Sequence, residues 1–135
     1  MERNRRYRRQ IIICEITMPV EDDYSAEIDW MYQCLGLGDE RDIVGSLIFR
    51  EILIANREER GISSRELMFK CNVTQAAVVY HLNLFMRTGL LVKEGRIYYL
   101  RAKNLERTLE EIENDLARRF DILKRIGRKI DEGFQ

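Results

Sequence analysis

A chain of 135 residues with 45% apolar composition is long enough for one cored domain with a helical appendage, which excludes disorder throughout. Its 23 Lys and Arg residues balance 23 Asp and Glu, so a uniformly basic nucleic-acid coat is excluded and the distribution of charge has to decide. No run approaches the ~18 apolar residues of a membrane span, and Glu15 interrupts Ile11, Ile12 and Ile13 too early for a secretory core, so a cytoplasmic protein is expected.

In chain order, Arg3, Arg5, Arg6, Arg8 and Arg9 make a basic arm, placed either to reach a DNA groove or to serve as a frayed, solubilising terminus. The Ile-rich stretch Gln10 to Val20, closed by the single proline Pro19, reads as a strand. An acidic stretch from Glu21 to Asp42 follows. Within it Ile28, Met31, Tyr32 and Leu35 repeat at helical spacing, and Gly36 stands where a left-handed cap would end a short helix. Asp39 is expected to cap a longer helix to about Asn56, with Val44, Leu47, Ile48 and Ile52 on its core face.

Ser63 and Glu66 have capping-box spacing ahead of a helix that runs to about Cys71. Asn72, Val73 and Thr74 then offer a turn and a fresh cap for an apolar-periodic helix to Thr88, which Gly89 ends. Leu90 to Lys93 and Arg96 to Leu100 are β-prone runs on either side of Glu94-Gly95, the loop length of a tight hairpin. Short helix, turn, longer helix and hairpin together predict a winged helix-turn-helix. The fold class is mainly α with a small β-hairpin wing (α+β) and a long C-terminal coiled-coil helix. Three segments result: residues 1–38, the winged domain 39–103, and a dimerisation helix 104–135.

The run Val73 to Leu91, above all His81-Leu82 and Gly89-Leu90-Leu91, resembles the recognition helix and wing entry of ArsR-type winged-helix regulators over about Asp39 to Lys103. With its long terminal helix the chain is also similar to small archaeal winged-helix proteins that pair through a coiled coil. The resemblance implies DNA binding, and that His81 pins its helix to its neighbours. Metal-sensing members carry cysteines where this chain has Ser63, Arg65 and Met68, which argues against thiolate sensing there. Cys14, Cys34 and Cys71 are odd in number and far apart, so reduced, buried thiols are expected. No Cys/His pair at ligand spacing, glycine-rich phosphate loop, or paired nucleophile and base is present. No metal, no cofactor and no catalytic residue is therefore expected, and the chain is read as not an enzyme.

If Val78, Leu82 and Phe85 face inward, Thr74, Gln75, Ala76, Val79, Tyr80 and Asn83 form the face expected to meet DNA bases. Gln75 and Asn83 have the amide geometry for adenine, and Ala76 and Val79 suit thymine methyls. Arg65, Lys70, Arg87, Lys93, Arg96, Arg101 and Lys103 are the candidate phosphate contacts; the plain alternative for each is an ordinary solvated charge.

From Asn104 onward Leu105, Leu109, Ile112, Leu116, Leu123, Ile126 and Ile130 alternate at four and three residues, with Phe120 standing in where Arg119 breaks the seam. Glu106, Glu110, Glu111, Glu113 and Asp115 crowd its first half, and Arg118, Arg119, Lys124, Arg125, Arg128 and Lys129 its second. An antiparallel homodimer crossing near Ala117 would match acidic to basic halves. The same stripe would also suit packing on the chain's own domain as a monomer. The leading function is a transcriptional regulator that binds double-stranded DNA as a homodimer; the alternative is a protein-interaction adaptor, which the neutral net charge favours.

Overall fold

The computed structural model describes residues 24–39 and 41–134. The Arg arm, the strand expected over Gln10 to Val20 and Cys14 lie outside the described residues. Helix α1 (Tyr24–Cys34) ends at Gly36, whose φ of +73° is the left-handed cap its position predicts. Helix α2 (Ile43–Arg57) starts later than expected, because Asp42 supplies the cap: its Oδ1 accepts from the Gly45 amide at 3.0 Å. Asp39 instead accepts from the Arg41 amide at 2.8 Å in the turn before the helix. The inward face of α2 is Gly45, Ile48, Phe49, Ile52 and Ala55, while Leu47 is 40% exposed, so the core-facing stripe is rotated toward the Phe49 ring.

Strand β1 (Ile62–Ser63) precedes α3 (Ser64–Cys71) and α4 (Gln75–Arg87). Ser63 Oγ accepts from the Glu66 amide at 3.1 Å, and Thr74 Oγ1 from the Ala77 amide at 3.2 Å, so both expected caps form. The Glu66 carboxylate joins Arg60 and Lys70, at 3.1 and 3.7 Å. Between the helices Asn72 turns the chain in the left-handed region, which Asn tolerates better than most residues.

Strands β2 (Leu91–Glu94) and β3 (Ile97–Leu100) form an antiparallel hairpin, and β1 adds to β3 to give the order β1-β3-β2. Glu94 pairs with Ile97, so the two-residue loop is Gly95-Arg96, one position later than the sequence suggested. Gly95 carries the required positive φ of +62°. Val78, Leu82, Phe85, Ile48 and Leu67 are fully buried, and Tyr32, Phe49 and Phe85 stack at centroid separations of 5.9 to 6.2 Å in the middle of the core. Cys34 and Cys71 are free and partly buried rather than fully buried; burial pushes the Cys71 thiol above its ordinary pKa.

Helix α5 (Leu105–Gly133) is fixed at its start by buried Thr108, whose Oγ1 donates to the Asn104 carbonyl at 2.8 Å and accepts from the Ala102 amide at 3.1 Å. Leu105 and Ile112, both expected in an intermolecular seam, pack against the domain's own core. The amphipathic stripe is used within the chain over its first two turns. Farther along, Leu116, Phe120, Leu123, Ile126 and Ile130 are 40 to 57% exposed.

Candidate nucleic-acid interface

With Val78, Leu82 and Phe85 buried, the period of α4 forces Thr74, Gln75, Ala76, Val79, Tyr80 and Asn83 outward, and all six are exposed. Tyr80, Asn83, Met86 and Arg87 line a shallow recess along the later half of the helix. Met86 was not singled out from sequence, since its spacing fits the edge of the apolar stripe. Among the described residues Arg87 is the cation that lines this recess, so base-edge contacts along the rest of the face would be amide, aromatic and methyl contacts.

The seven candidate phosphate contacts separate into distinct environments. Arg65, Lys93 and Arg96 converge on one groove of about 580 Å³ between the start of α3 and the β2-β3 hairpin, which Ser63, Ser64, Ile97 and Tyr98 also line. Lys93 Nζ lies 5.3 Å from the centre of the Tyr98 ring, which leans the ammonium against an aromatic face. Among the described residues no ion pair holds Arg65, Lys93 or Arg96. Lys70 sits on the other flank of α3 between Glu51 and Glu66, at 3.9 and 3.7 Å. Lys103 lies beside Glu106 and Glu110 at the start of α5.

Arg101 departs from the sequence reading. Its Nε is 3.2 Å from Glu111 and its Nη1 is 2.6 Å from Asp115, and the hydrogen bond to Asp115 holds the guanidinium above and that carboxyl below their ordinary pKa. Its charge is engaged within the chain, tying the base of the hairpin to α5. Ser63, read from sequence as a helix cap and as a position where metal sensors carry cysteine, and Ser64, which the sequence does not single out, both line the groove. Phe69 is 88% exposed on α3.

Behind α4, three helices meet at a polar cluster. Tyr32 Oη donates to Asp42 Oδ2 at 2.6 Å, and His81 Nε2 stands 3.8 Å from Asp42 Oδ1. Gly45 has no side chain where the Tyr32 hydroxyl and the His81 ring approach α2, which lets both close on the same cap. The cluster holds α1 and α4 against the start of α2 and so sets the angle at which the exposed face of α4 is presented. Nearby, in the recess between α1 and α2, Asp29 accepts from Ser46 Oγ at 2.6 Å and pairs with Arg50 at 3.4 Å.

Burial pushes the His81 imidazole below its ordinary pKa, and the Asp42 carboxylate offsets part of this. A base with a depressed folded pKa contributes stability that is complete above the unfolded value of about 6.5 and is lost as pH falls through the folded value. The urea midpoint of the wild type is therefore expected to fall more steeply below pH ~6.5 than that of His81→Gln. Parallel pH profiles for the two proteins would refute this.

Among the described residues no group of three His, Cys, Asp or Glu side chains is placed to hold a metal ion, and no helix is long and apolar enough to cross a membrane. No protein-family model, curated protein or solved structure matches the chain.

Proposed function

We propose that this chain is a winged helix-turn-helix protein that binds double-stranded DNA as a homodimer and regulates transcription, without catalytic activity. In this reading α3 and α4 are the helix-turn-helix, α4 enters the major groove, and the β2-β3 hairpin is the wing. The observation that carries it is the groove where Arg65 at the start of α3 converges with Lys93 and Arg96 of the β2-β3 hairpin. A phosphate strand needs cations at the rim, and donors or methyls where base edges pass.

The test is fluorescence anisotropy of a labelled mixed-sequence duplex titrated at several salt concentrations. A falling log-log dependence of affinity on salt is expected, because each neutralised phosphate releases counterions. Lys93→Glu with Arg96→Glu should weaken binding across all sequences and make the slope shallower by about two. The exposed Phe69 and the balanced net charge favour a second reading, a protein-interaction adaptor. Absence of binding at low salt would favour the adaptor and overturn the DNA reading.

A further inference from the structure

A shallow apolar groove of about 420 Å³ lies between α1 and the first turns of α5, floored by Met31, Leu105 and Leu109 and rimmed by Glu106, Glu110 and Glu113. Its occupant has to bring apolar side chains flanked by positive charge. The far half of α5 has that composition: Leu123 and Ile126 are 57% and 49% exposed, and Lys124 and Arg128 stand exposed beside them. From Ala117 outward this half extends past the part of the helix that packs on the domain. One helix therefore carries both an acidic apolar groove and a basic apolar arm, at opposite ends.

We infer that the groove between α1 and α5 receives the far half of α5 from a second copy of this chain, each copy filling the other's groove. This rests on the homodimer reading above and goes beyond it, because it makes α1 part of the interface and assigns the contacts. Two antiparallel α5 helices crossing at Ala117 bring Lys124 of one copy to Glu110 of the other, and Arg128 to Glu106. Ile126 then lies over Leu109 and the Met31 side of the groove. A twofold axis through the crossing repeats every contact, so four cross-chain charge pairs form per dimer. Ile112 remains on its own core, while Leu105, partly buried there, also floors the groove. Parallel pairing would set Lys124 against Lys124 and leave both grooves open.

The test is charge reversal read by sedimentation equilibrium at low salt. Glu106→Lys with Glu110→Lys, and separately Lys124→Glu with Arg128→Glu, should each raise the dimer dissociation constant at least about tenfold, since four attractive pairs become repulsive. Combining all four substitutions in one chain should restore it to within a few fold of wild type. All four positions are exposed, and circular dichroism of each variant checks that the fold is kept. Mixed copies of Leu109→Cys and Ile126→Cys, with Cys14, Cys34 and Cys71 replaced by Ser, should form a cross-chain disulfide that neither copy forms alone. A wild-type dimer that the reversals leave unchanged, or that the four-fold variant fails to restore, overturns this docking while leaving the dimer intact. A monomeric wild type overturns both.

Discussion

Replacing Phe85 by alanine is expected to lower unfolding free energy by about 3–5 kcal/mol, the range for removing a fully buried aromatic ring. Phe85 is completely inaccessible and touches both other rings of the central cluster, edge-on to Tyr32 and to Phe49. The cavity would open where α1, α2 and α4 meet. Against a total of about 5–15 kcal/mol for a domain of this kind, the loss would leave the variant marginal. Urea denaturation followed by circular dichroism measures it. Phe85→Leu, which keeps most of the volume, should retain more than half of the difference; equal midpoints for the two variants would show that the site is not packed as described.

Substituting Gly45 by alanine should be destabilising by about 2–4 kcal/mol, although alanine is the better helix former. Helix propensity alone favours the change by about 1 kcal/mol. A methyl group there would overlap the Tyr32 hydroxyl and come within 2.7 Å of His81 Cε1. Tyr32 would have to leave Asp42, so a buried hydroxyl and a helix cap would lose their shared hydrogen bond at the same time. Pairing Gly45→Ala with Tyr32→Phe, which removes the overlapping oxygen, should cost clearly less than the two single changes added together. Strict additivity in thermal or urea unfolding would place the cause elsewhere.

What could be read from sequence was the local part of this structure. The inward set Val78, Leu82 and Phe85 follows from one helical period, and the caps at Ser63 and Thr74 follow from side chains three residues from the amides they satisfy. The Tyr32, Asp42 and His81 cluster was out of reach, because its members lie on three helices and no spacing rule links them. Strand β1 was missed since two residues carry no periodicity. That Leu105 and Ile112 pack against the chain's own core could not be told from sequence, because one apolar stripe serves equally well inside a chain or between chains. Of the candidate site, the exposed face of α4 was legible from the same period, whereas the split among the seven cations was not. Whether an arginine meets phosphate or carboxylate depends on which acidic residues the fold brings beside it, as Glu111 and Asp115 meet Arg101.

The anchoring of α5 at Thr108 and Arg101 makes that helix a lever with a stiff hinge. Its 29 residues span about 43 Å, so a tilt of about 5° at the hinge displaces the tip by roughly 4 Å. In a dimer joined through these helices, the separation of the two α4 faces is therefore a gear ratio set by a few contacts at one end. Loosening the Arg101 clamp would blur the distance at which such a dimer holds the two faces apart.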